Sequence, residues 1–181
     1  NITRETHRMQ ETVDRMMELA SLESRRSLAQ AQPTALRPLL EELAHSAQAA
    51  GATRALVVDT DLSRDAMVQA DAYLLRRAVA NLLDNARDFS PDGGHISFTL
   101  AIDPKTATIT VRDQGPGIPD FASHKVFDKF YSLARPNSQK KSTGLGLPFV
   151  KEVVALHDGQ VTLANADGGG AIATVTLPRC D

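Results

Sequence analysis

The sequence predicts an α+β fold in which helices cover one face of a mixed β-sheet. Two observations support this class: several stretches show the apolar spacing of amphipathic helices, and the strand-like stretches between them are mostly joined as hairpins. The chain has 181 residues, of which 42% are hydrophobic, so it can bury a core and is not expected to be disordered.

The composition excludes several classes of protein. The net charge of −2 argues against nucleic acid as the main partner, and the single cysteine, Cys180, excludes a disulfide framework or a cysteine-based metal site within one chain. No apolar run approaches the roughly 18 residues that suggest a membrane span. The chain begins at Asn1 and shows no signal peptide, so we interpret it as a fragment of a longer protein.

The first 30 residues contain neither glycine nor proline and predict one amphipathic helix over 1–31, ending before Pro33. Its apolar positions are Ile2, Met9, Val13, Met16 and Ala20. Such a stripe has to be buried against something. Either the helix packs on its own domain, or it belongs to a dimerising hairpin or bundle, which its long charged faces favour.

The next elements follow from periodicity and from turn residues. Asp71 is a predicted N-cap for a helix that ends at Phe89. The other predicted helices cover 33–50 and 145–157, and the predicted strands cover 54–59, 67–70, 95–102, 106–112, 160–165 and 171–177. Strands 95–102 and 106–112 form a hairpin, and Gly168, Gly169 and Gly170 form a turn between the last two strands.

Four clusters of residues predict chemistry. In the first, Asn81 and Asn85 lie one helical turn apart and therefore share a face of the helix. Their neutral oxygens suit a Mg²⁺ ion that bridges phosphate groups, although two solvated surface residues would give the same pattern.

In the second cluster, Asp113 ends a strand and precedes Gly115 and Gly117, which allow close approach of the backbone to a ligand. Its carboxylate could accept a hydrogen bond from an adenine amine; an ordinary turn is the alternative.

The third cluster is a glycine-rich helix start, typical of a phosphate site because its free N–H groups point outward. Its residues are Thr143, Gly144, Leu145, Gly146, Leu147 and Pro148.

The fourth cluster is the stretch 121–143, whose five basic residues and one acidic residue leave a local charge of +4. The basic residues are Lys125, Lys129, Arg135, Lys140 and Lys141. We predict a lid over an anion, with a plain solvated loop as the alternative.

Taken in the order in which they occur along the chain, the four clusters resemble the N, G1, F and G2 boxes of sensor histidine kinases. The resemblance covers 33–178 and implies a two-layer α/β sandwich of the histidine kinase, gyrase, Hsp90 and MutL ATPase superfamily. It divides the chain into a partial dimerisation and phosphotransfer helix, 1–31, and an ATP-binding catalytic domain, 33–181, with a lid at about 121–143. The lid sequence 127–136 is most similar to carbon-source-responsive, Cre-type sensor kinases.

The resemblance also implies roles for individual residues. Asn85 would be the Mg²⁺ ligand, with Asn81 as a second polar contact, and Asp113 would bind the adenine amino group. Phe127 and Phe130 would anchor the lid. The remaining candidates for nucleotide contacts are Gly115, Gly117, Arg135, Lys140, Lys141, Thr143, Gly144, Leu145, Gly146 and Leu147.

The implied activity is that of an ATP-dependent protein histidine kinase with ATP and Mg²⁺ as cofactors. The implied partners are a response regulator receiver domain and a second copy of the chain, held through the N-terminal helix, without direct binding of nucleic acid. The implied location is the cytoplasmic portion of a bacterial inner-membrane sensor.

Three departures from the family pattern matter. Asp88 stands where members often carry lysine, which suggests that a phosphate contact comes from the lid instead. At the adenine pocket, Ala171 replaces a small hydroxyl residue and Ala173 replaces an aromatic residue. No histidine is followed by the acid and the Arg-Thr-Pro-like run of an acceptor box, so we expect that this chain alone cannot autophosphorylate. Its five histidines are interpreted as surface or helix-end residues.

Two other functions remain open at this point. A gyrase- or Hsp90-type hydrolase would need a general-base glutamate where this chain has Asn81, and an amide cannot take a proton from water. A degenerate, non-enzymatic nucleotide-binding module is disfavoured by the intact Asn85 and Asp113, but the missing acceptor keeps it possible for this chain.

Overall fold

The computed structural model describes residues 1–136 and 142–181. Within these ranges the chain forms four α-helices and seven β-strands. The helices are α1 (Ile2–Ser24), α2 (Leu36–Gly51), α3 (Ala72–Phe89) and α4 (Gly146–Leu156). The strands are β1 (Gln32–Ala35), β2 (Val57–Asp61), β3 (Met67–Ala70), β4 (His95–Ile102), β5 (Thr106–Arg112), β6 (Gln160–Asn165) and β7 (Ala171–Pro178). None of the described helices is long and apolar enough to cross a membrane.

Five strands form one mixed sheet in the order β2-β4-β5-β7-β6. Strand β2 is parallel to β4, whereas the other neighbours are antiparallel. Strands β1 and β3 form a separate two-stranded antiparallel sheet. The predicted α+β class with a mixed sheet is therefore confirmed.

The helices bury one face of the five-stranded sheet. Ile96, Phe98 and Leu100 alternate along β4 and are at most 5% exposed, in one apolar cluster with residues of α2, α3 and α4. On the other face, Thr110 of β5 pairs in register with Thr99 and Thr174 on its two neighbours. This polar row is what an antiparallel sheet with one solvated face requires.

Helix α1 is shorter than the sequence predicts. It ends at Ser24, because Arg25 adopts an extended conformation with φ −82° and ψ 144°. The chain then turns, and Leu28 packs against the main core. The N-terminal part leaves Ile2, Met9 and Met17 exposed, whereas Leu19 and Leu22 are 2% exposed. The helix thus packs on its own chain near its C-terminal end and leaves an apolar stripe uncovered elsewhere.

The starts of α2 and β2 also differ from the prediction by three residues each. Residues 32–35 form strand β1 rather than the first turn of α2, because they pair with β3. Strand β2 begins at Val57 rather than at residue 54, since Ala52–Arg54 form a 3₁₀ turn followed by Ala55 with φ +53°. Arg54 then donates to the carbonyl oxygens of Arg87 and Ser90, at the C-terminal end of α3.

Helix α3 agrees with the sequence prediction at both ends. The side chain of Asp71 accepts a hydrogen bond from the backbone N–H of Leu74 at 3.2 Å, as an N-cap does. The backbone N–H of Asp71 also donates to Nε2 of His157, which is 4% exposed and donates from Nδ1 to the carbonyl oxygen of Val153. His157 is therefore a structural helix-end residue that joins α3 to α4.

Candidate nucleotide-binding site

A cavity of about 280 Å³ lies between α3, the ends of β5 and β7, the lid and the start of α4. It brings together residues that are up to 158 positions apart in the sequence, and these include members of all four predicted clusters. Of the predicted site residues, those that line it are Asn81, Asn85, Asp113, Gly117, Arg135, Thr143, Gly144, Gly146 and Leu147.

Helix α3 contributes one polar face to this cavity. Asn81, Asp84, Asn85 and Asp88 follow each other at helical spacing, and all four line the cavity. The opposite face of α3 buries Leu83, which is 3% exposed, together with other apolar residues in the core. Packing of α3 on the sheet therefore fixes the direction in which the carboxamides point.

Asp113 is the buried acid of the cavity, with only 6% of the residue exposed. Its Oδ1 accepts hydrogen bonds from the backbone N–H groups of Gly115 at 2.9 Å and Ala171 at 3.0 Å. Burial raises the pKa of the Asp113 carboxyl above its ordinary value, and the two N–H donors oppose this rise. The carboxyl is thus held in one orientation by the backbone of two neighbouring segments.

The backbone around Asp113 is clamped from both sides. Its N–H donates to the carbonyl oxygen of Ala171 at 2.9 Å. Gly170 has φ +82°, and a Cβ atom there would lie 2.0 Å from the carbonyl oxygen of Asp113. Only glycine allows β7 to approach the Asp113 loop this closely.

Asn165, at the end of β6, holds the following loop and was missed by the sequence reasoning. Its Oδ1 accepts from the N–H of Ile118 at 2.6 Å, and its Nδ2 donates to the carbonyl oxygen of Ile118 at 3.0 Å. A Cβ atom on Gly117 would lie 2.6 Å from Oδ1 of Asn165. The only signal for this role in the sequence is a carboxamide at the end of a strand, which is too common to be specific.

The lid is anchored by a small apolar cluster of its own. Ile118, Ala122 and Val126 are at most 8% exposed, and Phe127 packs against them. The predicted anchor Phe130 is different, because its side chain lies outside this cluster and the residue is 56% exposed. Phe130 instead contributes through its backbone, which adopts φ +66° and donates to the carbonyl oxygen of Gly144 at 3.0 Å.

Among the lid residues that the structure describes, Arg135 is a cation at the cavity. Its guanidinium lies 4.9 Å from the ring centroid of Phe89, and its Nε lies 3.5 Å from Oδ2 of Asp88. Its Nη1 donates to Oγ of Ser132 at 2.9 Å, and the side chain is 9% exposed. The acid that replaces the usual lysine thus has a basic partner from the lid.

The start of α4 closes the cavity beside α3. Gly144 has φ +70°, and a Cβ atom there would lie 2.5 Å from the backbone of Phe130, so the lid and the helix start are in close backbone contact. Helix α4 begins at Gly146, and its N-cap residue, Leu145, makes no side-chain capping hydrogen bond. The first N–H groups of the helix are therefore not taken up by the side chain of the N-cap residue, which is the arrangement that suits an anion.

Some predicted contacts lie elsewhere. Leu145 is 3% exposed in the interior and does not line the cavity, and Gly115 borders a second, open groove on the other side of Asp113. A Cβ atom on Gly115 would lie 2.4 Å from the carbonyl oxygen of Phe89, so this glycine serves backbone packing. Lys140 and Lys141 lie outside the described residues.

Two residues of the cavity wall bear on the departures from the family pattern. Ala171 and Ala173 both line the cavity, so short side chains do form this part of the wall.

Arg15 of α1 also lines the cavity, and its Nη1 lies 3.5 Å from Oγ1 of Thr143. The sequence reasoning missed Arg15, because only the tertiary structure brings α1 to this site.

Comparison with known proteins agrees with this geometry. Residues 70–181 match the family described as "Histidine kinase-, DNA gyrase B-, and HSP90-like ATPase", and they include α3, Asp113, the lid and α4. The chain belongs to this ATPase family. Together with the relatives described next, this match confirms the resemblance to sensor histidine kinases.

Individual relatives are sensor kinases. Sensor protein CreC of Escherichia coli (strain K12) is 41% identical over 99% of this chain and 37% of its own length. The solved structure of the mycobacterial sensor histidine kinase MprB is 31% identical, with a TM-score of 0.73 over 82% of this chain and 98% of that chain. Full-length ShkA in complex with AMPPNP has a TM-score of 0.80 over 95% of this chain and 36% of that chain. At 24% identity, ShkA shows the fold alone.

The chain corresponds to part of its relatives. It spans 37% of CreC, 17% of sensor histidine kinase TmoS of Ectopseudomonas mendocina and 19% of sensor histidine kinase WalK of Bacillus subtilis. The activities of these whole proteins therefore involve segments that have no counterpart in this chain.

Proposed function

We propose that this chain is the ATP-binding kinase module of a sensor histidine kinase, which presents the γ-phosphate of ATP to a histidine for relay to an aspartate of a response regulator. The observation that carries the proposal is the single cavity that joins a buried carboxylate, Asp113, to the carboxamides of α3 and the open start of α4. The relatives are named sensor kinases, and ShkA was solved with an ATP analogue.

The two ends of the cavity divide the work. The Asp113 carboxylate would accept a hydrogen bond from the exocyclic amine of adenine, since the backbone already fixes its orientation. The N–H groups at the start of α4 and the guanidinium of Arg135 would hold the phosphates. Phosphoryl transfer depends mostly on positioning and on neutralising charge, and these groups supply both.

A Mg²⁺ ion fits this site only together with a nucleotide. The described residues contain no group of three or more histidine, cysteine or acidic side chains that could hold a metal ion alone. Asn85, with Asn81 beside it, would contribute a neutral oxygen, while phosphate oxygens and water complete the shell, as Mg²⁺ usually requires. Bound in this way, the ion would neutralise charge on the phosphates.

The remaining parts of the proposal concern the whole protein. Helix α1 would be the second helix of a dimerisation and phosphotransfer hairpin, within the division into 1–31 and 33–181. Its uncovered apolar residues Met9, Val13 and Met16 would face a partner copy. The chain would be the cytoplasmic portion of a bacterial sensor that is anchored in the inner membrane.

The test combines binding with transfer. Calorimetry should show ATP binding that requires Mg²⁺ and exceeds GTP binding, and equal affinities would contradict the role of Asp113. A hairpin that carries an acceptor-histidine box is then added with γ-labelled ATP. We expect acid-labile label on the hairpin and almost none on this chain. Rapid release of inorganic phosphate without labelling would favour a hydrolase instead.

A further inference from the structure

We infer that Arg15 of helix α1 is part of the nucleotide site and binds the phosphate groups of a nucleotide held there. The inference rests on the proposed function, because it adds a residue to the same cavity. It also gives α1 a role in nucleotide binding that is separate from dimerisation.

The position of Arg15 is fixed by the packing of α1. Leu22 is 2% exposed and belongs to the main core, and Leu19 is equally buried. Glu18 forms a bidentate ion pair with Arg77 of α3, in which the contact from Nη2 to Oε2 measures 2.8 Å. The guanidinium of Arg77 also lies 4.7 Å from the ring centroid of Phe149 of α4, so three helices meet at this contact.

Arg15 lies on the face of α1 that makes these contacts. It precedes Glu18 by three residues, Leu19 by four and Leu22 by seven, so the four side chains share one side of the helix. This spacing places the guanidinium over the mouth of the cavity, where Nη1 lies 3.5 Å from Oγ1 of Thr143. Thr143 immediately precedes Gly144 and the start of α4.

The charges around the mouth distinguish Arg15 from its neighbours. Three arginines line the described cavity, and Arg87 and Arg135 are each within salt-bridge distance of an acid on α3. In the part of the chain that the structure describes, Arg15 has a neutral hydroxyl as its hydrogen-bond partner. Burial raises the pKa of the Asp84 carboxyl, and the charges of Arg87 and, more weakly, Arg15 oppose this rise.

A polyanion in the cavity is a better partner for Arg15 than a hydroxyl. Hydrogen bonds between a guanidinium and phosphate are charge-assisted and stronger than neutral ones. Because Arg15 reaches the site only while α1 is docked, nucleotide binding and docking of α1 are coupled. The coupling is reciprocal, so nucleotide must stabilise the docked helix by the same factor that docking adds to affinity.

The test compares three chains by calorimetry with MgATP and with adenosine. Since the contact is solvent-exposed, we expect Arg15→Ala to weaken ATP binding by roughly 3- to 10-fold and to leave adenosine binding unchanged. Arg8→Ala is the matched control, because Arg8 is exposed two turns earlier on the same helix and does not line the cavity. Equal ATP affinity of Arg15→Ala and the wild type, or an equal loss in Arg8→Ala, would overturn the inference.

Hydrogen exchange supplies a readout that a general charge effect would not move. ATP should slow amide exchange over residues 12–22 of α1 in the wild type and much less in Arg15→Ala. No effect of bound ATP on α1 in the wild type would overturn the coupling. A wild-type chain that binds no adenine nucleotide would instead refute the proposed function itself.

Discussion

The two ends of the cavity are built differently. At the Asp113 end, the carboxylate and its loop are held by backbone hydrogen bonds to β7 and by the close approach of Gly170. At the lid end, the charged groups are long side chains, and the acids that pair with them are at least 42% exposed.

This difference indicates which contacts are already formed before a ligand binds. A backbone-fixed carboxylate costs little further ordering when it binds, which favours selectivity for one base. The arginines at the lid end have flexible stems and can follow phosphates that change during a reaction, but ion pairs with exposed acids contribute less. Substitutions at the Asp113 end should therefore have large effects, and those at the lid end small ones.

The largest effect is expected from Gly170→Ala. The new Cβ atom would lie 2.0 Å from the carbonyl oxygen of Asp113 at φ +82°. We expect the free energy of unfolding to fall by about 3–5 kcal/mol, from clash and backbone strain together. Gly169→Ala is the control, because its φ is +105° but nothing lies within 4 Å of the new atom. Urea unfolding that gives equal losses for both variants would show that the approach to Asp113 is not tight.

Asp113→Asn should leave the fold intact, because Asn can still accept the hydrogen bonds from Gly115 and Ala171. The amide would replace an acceptor with a donor toward the adenine amine and remove the charge. We expect ATP binding to weaken by roughly 10- to 150-fold, the equivalent of about 1.5–3 kcal/mol. Calorimetry measures this loss, and an unchanged affinity would exclude Asp113 from recognition of the base.

The affinity for ATP should also depend on pH through Asp113. Because burial raises the pKa of this carboxyl, it becomes protonated at a higher pH than an ordinary aspartate, and ATP affinity should fall as pH decreases through that pKa. The folding stability of the nucleotide-free protein should change with pH in the opposite direction. The native state holds the Asp113 proton more tightly than the unfolded state, so the free energy of unfolding falls as pH rises from the pKa of Asp113 in the unfolded state to its pKa in the native state. The ATP affinities of the wild type and Asp113→Asn, measured against pH, should converge at low pH. Parallel profiles would show that the pH dependence does not come from Asp113.

At the lid end, Arg135→Ala should weaken ATP binding by roughly 3- to 15-fold and leave adenosine binding unchanged. The variant loses a guanidinium that is only 9% exposed in its side chain, between Phe89 and Asp88. Lys125→Ala removes the same charge from the lid, but Lys125 is exposed and does not line the cavity. A similar loss in both variants would indicate a general field effect rather than a contact.

The smallest effect is expected where the lid meets α1. Lys129 Nζ lies 2.7 Å from Oε1 of Glu23, and the two side chains are 51% and 35% exposed. Lys129→Met should lower the free energy of unfolding by less than about 1 kcal/mol, and the difference should shrink at high salt. A larger loss in thermal unfolding at low salt would mean that the contact between lid and helix is stronger than its exposure implies.

Elements that depend on local signals could be predicted from the sequence. The alternation in 95–102 and 106–112 and the cap at Asp71 predict β4, β5 and the start of α3 as the structure has them. The end of α1 and strand β1 could not be predicted. Strand β1 is four residues long, contains Pro33 and exists through its pairing with residues 67–70, far along the chain.

The fold class, the family and many of the residues that line the cavity could be predicted from the sequence, because these are carried by local periodicity and by short motifs in a specific order. Three contacts are evident only in the folded chain: Asn165 clamps the Asp113 loop, Arg135 pairs with Asp88, and Arg15 reaches the site. Asn165 and Ile118 are 47 residues apart, as are Arg135 and Asp88, and Arg15 is more than 60 residues from the other residues of the cavity. The partners in such contacts depend on how helices and strands pack. Such contacts leave no periodic signal in the chain, since any exposed side chain at those positions would have satisfied the local pattern equally well.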